Sequence, residues 1–260
     1  MTKGQKIVLA IMLPILASSL IYAAWPWIHG FFLDREQQAV VSEFYERIEQ
    51  TPPPEPVEKA PEPITETIID EPEPTPDYTE LYEAMVRYNE QLYETKQTSL
   101  GDAWEYTPSD FDLLSYGVES EVVGVVDIPS LNISMPLYLG ASYDHMAAGC
   151  TQLTGTSMPI GGVNANCVIA GHCGWGGANY FKYLSTIQAG AYVYVTNLWE
   201  TLIYRVTDTK IIAPYDLDKI MIQEGRDMVT LFTCHPYASG GRYRFVVYCE
   251  RVPEESIQNP

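Results

Sequence analysis

Three residue types that together permit acyl chemistry stand at the edges of apolar runs. Cys234 closes Thr230-Leu-Phe-Thr-Cys234, His172 closes Val168-Ile-Ala-Gly-His172, and Arg244 opens Arg244-Phe-Val-Val247. A thiol attacks a carbonyl only as thiolate, so it needs a nearby base or cation, and the tetrahedral oxyanion that forms needs a fixed donor. An imidazole and a guanidinium fill those needs, and Arg does so better than Lys because its planar fork stays protonated. Arg242 lies two residues before Arg244, which in a strand puts both on one face. Each residue also has a plainer reading: an inert strand cysteine, a solvated loop histidine, a surface arginine paired with a carboxylate. Cys173, next to His172, opens a disulfide or a metal site, but no Cys-x-x-Cys spacing supports a structural metal. Neither a metal nor a cofactor is expected.

These residues need strands to hold them. Runs rich in β-branched and aromatic residues, bounded by Gly, Pro, Asn or Asp, predict strands over 122–128, 134–139, 167–170, 192–195, 201–212, 228–233 and 243–249. So many short runs with few helical intervals predict a mostly β fold, a closed barrel, with short helices at 144–150 and 180–184. Ahead of it, Leu81, Met85, Tyr88 and Leu92 make the stripe of an amphipathic helix over 78–95, expected to pack on the barrel. Residues 101–116 read as irregular.

The N-terminal part has a different character. Residues 7–33 contain no Asp, Glu, Lys or Arg, with Lys3 and Lys6 before them and Asp34 after. As helix that run spans about 30 Å of hydrocarbon, with the N-terminus inside and the bulk of the chain outside. A cleaved signal peptide is the alternative, but no small-x-small site follows. A short juxtamembrane helix is expected over 35–50. Residues 51–77 hold nine prolines, eight acidic residues and one lysine, so they bury no core and read as an extended stalk, or as a proline-motif ligand. The expected organisation is 1–6 cytoplasmic, 7–33 anchor, 34–77 juxtamembrane segment and stalk, 78–121 helix and candidate lid, and 122–260 barrel. A net charge of −19 excludes nucleic acid as a partner. The odd count of five cysteines leaves at least one thiol unpaired within a monomer.

The segments around Cys234, His172 and Arg244 resemble the active-site strands of the sortases, cysteine transpeptidases of Gram-positive cell surfaces. Gly124-Val-Val-Asp-Ile-Pro-Ser-Leu131, Pro136-Leu-Tyr-Leu-Gly140 and Gly155-Thr-Ser-Met-Pro-Ile-Gly-Gly162 resemble the family's early strands and loops, and the likeness runs over 122–252. It implies an eight-stranded barrel, Cys234 as nucleophile, His172 as acid and base, and Arg244 rather than Arg242 as transition-state donor. Thr233 is implied to order substrate. Asp102-Ala-Trp104 resembles the Asp-Pro-aromatic lid of class C, pilin-polymerising sortases, in which the aromatic covers the cysteine and the Asp pairs with the arginine. Here Ala stands in the middle position, and no second apolar span follows the barrel as it does in many class C enzymes, which leaves the subclass open. The implied reaction is cleavage of an LPXTG-like sorting signal and transfer of the acyl group to an amine. Partners would be sorting-signal-bearing surface or pilin proteins, an acceptor amine from a pilin lysine or a cell-wall precursor, and the membrane. Alternatives are a housekeeping-type sortase, a hydrolytic cysteine protease, and a non-enzymatic surface barrel with a structural Cys234.

Overall fold

Along 201–207, Leu202, Tyr204 and Val206 are buried while Thr201, Arg205 and Thr207 are exposed, the period-two pattern of a strand with one covered face. The computed structural model of the chain describes residues 3–49, 78–98, 100–109 and 111–253, and closes eight strands into a barrel. They are β1 (Val122–Ile128), β2 (Ile133–Leu139), β3 (Cys150–Gln152), β4 (Ala165–Ala170), β5 (Tyr192–Asn197), β6 (Thr201–Ile212), β7 (Asp227–His235) and β8 (Tyr243–Arg251). Their order around the barrel is β1-β2-β3-β4-β7-β8-β6-β5. The β2–β3 and β4–β7 pairs are parallel and the others antiparallel, with β1 on β5 closing the ring. The mostly β, eight-stranded barrel expected from the sequence is therefore the fold observed.

Two local expectations need correction. The short helix Tyr143–Ala148 stops before Cys150, which begins β3 and does not end the helix as 144–150 had it. Three residues are too few to show a period, so only pairing to β2 and β4 makes that segment a strand. The helix expected over 180–184 is a set of turns followed by a 3₁₀ turn at Leu184–Thr186. Tyr180 has φ 43°, outside the right-handed helical region.

Two long helices flank the barrel, α1 (Lys3–Glu49) and α2 (Thr79–Glu94). Helix α1 is long and apolar enough to cross a membrane, and its large apolar side chains from Ile11 to Phe32 are exposed. Its last part does not stand free as a separate juxtamembrane helix. Gln37, Val41 and Phe44 are buried at helical spacing. Gln38 Nε2 donates to the Ser134 carbonyl (3.0 Å), Tyr45 OH to Asp127 (2.8 Å), and Arg47 to the Val122 carbonyl (3.0 Å). Helix α2 buries Leu81, Ala84, Met85 and Leu92, and it receives the Met158 N–H at Asn89 Oδ1 (2.7 Å). Each fully buried Leu, Met or Phe contributes about 1.5–3 kcal/mol. The proline-rich stalk expected over 51–77 lies outside the described residues.

The apolar interior falls into two clusters, and strand alternation assigns residues between them. On β4, β7 and β8 the larger cluster takes Cys167, Ile169, Val229, Leu231, Phe245 and Val247. A smaller one takes the residues of opposite parity, Val168, Ala170, Met228, Phe232, Val246 and Tyr248, with Trp104 packed against it.

Candidate active site

In the antiparallel register of β7 and β8, Cys234 stands opposite Arg244. Side chains alternate along a strand, so Cys234 shares its face with Phe232, and Arg244 shares its face with Val246. Thiol and guanidinium thus emerge together at the end of the smaller cluster. His172 lies on the same parity, two residues past Ala170, which pairs with Phe232 in the parallel β4–β7 ladder. The Gly171 N–H donates to the Phe232 carbonyl (3.1 Å), and Thr233 Oγ1 donates to the Gly171 carbonyl (2.7 Å). These bonds fasten the histidine-bearing strand end to the cysteine-bearing one. Thr233 is buried, on the parity opposite to Cys234, with its hydroxyl engaged inside the fold. A Cβ on Gly171 would come within 2.7 Å of the Phe181 ring, so glycine is what lets that ring close under the turn to His172.

Arg244 is almost fully enclosed. Its Nε donates to Asp102 Oδ1 (3.2 Å) and its Nη2 to Asp102 Oδ2 (2.5 Å), a two-point fork in which the two side chains are 5% and 7% exposed. Nη1 donates to the carbonyls of Gly241 (2.7 Å) and Tyr243 (3.3 Å) and reaches Cys234 Sγ at 3.8 Å. Arg242 falls before the start of β8 and is exposed, so the arginine facing the thiol is Arg244.

Asp102 and Trp104 arrive from the segment between α2 and β1. Glu105 N–H donates to the Asp102 carbonyl (3.0 Å), closing a 3₁₀ turn at Ala103–Glu105. The Trp104 ring lies 4.5 Å beneath the Arg244 guanidinium carbon, 5.9 Å from the Phe232 ring and 6.3 Å from the His172 ring. It therefore touches both Arg244 and His172. The segment is pinned on its far side, where Pro108 bridges to Gly140 and Thr154 Oγ1 donates to the carbonyls of Thr107 and Pro108, each at 3.1 Å. Gly140 has φ +74°, and a Cβ there would overlap the Ser109 backbone. The crossing requires glycine.

His172 is held on further sides by rings the sequence did not single out. Trp175 stacks on it at 4.9 Å and 16°, and Tyr180 meets it edge-on at 5.9 Å and 89°. An aromatic inside Cys173-Gly-Trp-Gly-Gly177, beside a candidate base, was the available signal.

Burial pushes the Cys234 thiol up to about 11, with Arg244 pulling it down and Asp102 and Cys173 adding to the rise. Burial lowers His172 from its ordinary 6.5. Near neutral pH the pair is thus thiol and imidazole, and among the described residues Cys234 takes a hydrogen bond from Arg244 and none from His172. Such a pair can pass the thiol proton to the imidazole as sulfur attacks a carbonyl, beside a cation that can serve the developing oxyanion once its fork on Asp102 opens. All five cysteines are free, and burial raises Cys150, Cys167 and Cys249 far beyond the ordinary thiol range.

The chain is similar to known proteins of one family. A sortase domain profile matches residues 126–252. Among curated proteins, the chain is 24% identical over 131 residues to Sortase D of Bacillus subtilis and 29% over 121 residues to Sortase A of Staphylococcus aureus. These matches cover 50% and 46% of this chain, and 63% and 58% of the two relatives. Among solved structures, sortase C-1 from Actinomyces oris superposes with a TM-score of 0.61 at 32% identity, covering 68% of this chain and 99% of that one. Sortase C1 of GBS pilus island 1 gives 0.66 at 26% identity, covering 84% and 92%.

Proposed function

The chain belongs to the sortase family, and on that footing we propose that it is a membrane-anchored cysteine transpeptidase that cleaves an LPXTG-like sorting signal and joins the acyl product to an amine in pilus assembly. The observation that carries the reading is the Cys234–Arg244 pair in strand register, with Asp102 forked onto the arginine and Trp104 beneath it. The segment contacting the site from upstream of the barrel favours a class C enzyme over a housekeeping type with an open site, and the class C names of the similar structures point the same way.

The chemistry follows from the groups in place. As a sorting peptide enters, Cys234 gives its proton to His172 and its sulfur attacks the threonine carbonyl. Arg244 donates to the oxyanion, which requires that it loosen its fork on Asp102, so lid movement and charge stabilisation are coupled. The tetrahedral intermediate collapses as His172 returns the proton to the departing glycine amine, leaving a thioester on Cys234. An acceptor amine then attacks the thioester carbonyl, gives a proton to His172, and expels the Cys234 sulfur, which takes that proton back. Asp102 and Trp104 form the lid, seated on Arg244 and beside His172, and the resting thiol next to them stays partly exposed. Helix α1 is the membrane span among the described residues, with the barrel on the outer face of a Gram-positive cell membrane.

Mass spectrometry of the full chain in detergent with a sorting-signal peptide and a lysine-like amine tests this. The expected species are a peptide adduct on Cys234 and a ligated product. Hydrolysed peptide alone identifies a protease, and no adduct on Cys234 overturns the reading.

A further inference from the structure

The loop that carries the histidine's stacking partner touches the apolar helix. Trp175 N–H donates to the Ala178 carbonyl (3.1 Å) and Ala178 N–H to the Trp175 carbonyl (2.8 Å), which closes a two-residue turn. Gly176 and Gly177 at its tip have φ 56° and 96°, positive at both central residues as a type I′ turn requires. That tip sits on the middle of α1, where its apolar run ends. His29 Nδ1 donates to the Gly176 carbonyl (2.7 Å). Gly30 is buried, a Cβ on it would overlap the Gly177 backbone, and a Cβ on Gly177 would overlap the Pro26 carbonyl. Two backbones therefore meet where any side chain would part them. A Cβ on Gly176 would reach the Leu33 side chain at 2.8 Å.

Other surfaces of the molecule carry less. The cavity between α1 and the barrel, lined by Asp34, Gln37 and Asp127, holds polar groups but no reacting one. The pair of buried Tyr204 and half-buried Asp227 is satisfied by its own hydrogen bond and the Gly162 N–H. The 176–177 contact differs because it is two steps from the reacting proton: α1 holds the tip, and the residue preceding the tip stacks on His172 at 4.9 Å.

We propose that the stretch of α1 where its apolar run ends is a positioning element for His172, with His29 and Gly30 holding the Trp175 turn so that the indole fixes the plane of the imidazole. This rests on the transpeptidase reading above. The span is then more than a tether, because the same helix that crosses the membrane sets the orientation of the proton-transferring ring. A chain lacking residues 1–33 would keep the barrel, which α1 also grips through Val41 and Phe44, yet lose the support under the turn. A displacement of about 1 Å at a catalytic group can cost about 10²-fold in rate, and one hydrogen bond is worth a factor of roughly 2–10. Loss of the His29 bond, or of the close Gly30–Gly177 contact, sets the expected loss at about tenfold for either change.

The test uses the full chain in detergent micelles, comparing His29→Ala, His29→Asn, Gly30→Leu and His172→Ala with the wild type. Readouts are backbone hydrogen exchange at Trp175 and Ala178, and kcat and KM for transpeptidation of a sorting-signal peptide. His29→Ala and Gly30→Leu should each speed exchange at those two amides about tenfold and lower kcat about tenfold, with KM within about twofold. His29→Asn, which keeps an N–H at the same reach, should restore both. Because Gly30→Leu adds bulk that can shift the whole helix, His29→Ala decides. Unchanged exchange and unchanged kcat in His29→Ala overturn the proposal. Full turnover by His172→Ala overturns the catalytic reading beneath it, and the exchange data then report the turn's dependence on α1 independently.

Discussion

Replacing Asp102 with alanine should unmask Cys234. The Asp102 carboxylate holds Arg244 by two bonds inside a site where both side chains are nearly inaccessible, and removing one partner of such a buried pair typically costs about 3–5 kcal/mol. Spent on the closed lid alone, that would shift its opening by about 10²–10⁴-fold, since 1.4 kcal/mol is about a factor of ten. A second route gives a similar figure. With its thiol pushed up to about 11, Cys234 is about one part in 10⁴ thiolate at pH 7, whereas at the ordinary 9.0 it would be about one part in 10². Opening the site to water and removing the Asp102 charge both act in that direction, so the expected gain is about 10²-fold. The assay is pseudo-first-order alkylation of Cys234 by iodoacetamide at pH 7, read by mass spectrometry, with a circular-dichroism melt to verify the fold. Alkylation within twofold of wild type, in a folded protein, refutes the argument that this segment covers the thiol.

Trp104→Ala should act in the same direction but less strongly, by about 2–30-fold, since a guanidinium over an indole is worth about 0.5–2 kcal/mol. Cys234→Ala should abolish acyl-enzyme formation while leaving the melt unchanged, and residual transpeptidation would reassign the nucleophile. Arg244→Lys should lose about 10²–10³ in kcat while exposed Arg242→Ala loses little, and the reverse pattern would exchange their roles. Phe44→Ala, which empties a position 1% exposed at the α1–barrel contact, should cost about 3–5 kcal/mol and lower Tm by roughly 10 °C. For pH, folding lowers His172, so its share of stability is complete above 6.5 and lost as pH falls below it. Folding raises Cys234, so its share is complete below 9.0 and lost as pH rises toward about 11. Calorimetric melts should show the acid-side loss shrink in His172→Gln and the alkaline-side loss shrink in Cys234→Ala.

The sequence alone was enough to locate the strands that carry Cys234, His172 and Arg244, because residue type and period two are local properties. It also marked the apolar span and the α2 stripe, whose 3.6-residue period needs no partner to be seen. Preference for Arg244 over Arg242 came from the likeness of the run behind it to the family's arginine strand. What separates the two in space is where β8 begins, and that is fixed by its pairing with β7. Strand β3 escaped notice since three residues carry no period, and it exists only through its neighbours' hydrogen bonds. The long-range contacts were likewise beyond local reading. Asp102 meets Arg244 across 142 positions, a pairing that only the family resemblance implied, and His29 meets Gly176 across 147. Such pairs depend on how barrel closure and helix packing bring distant segments together, and the thiol and imidazole owe their shifted protonation to the burial that results.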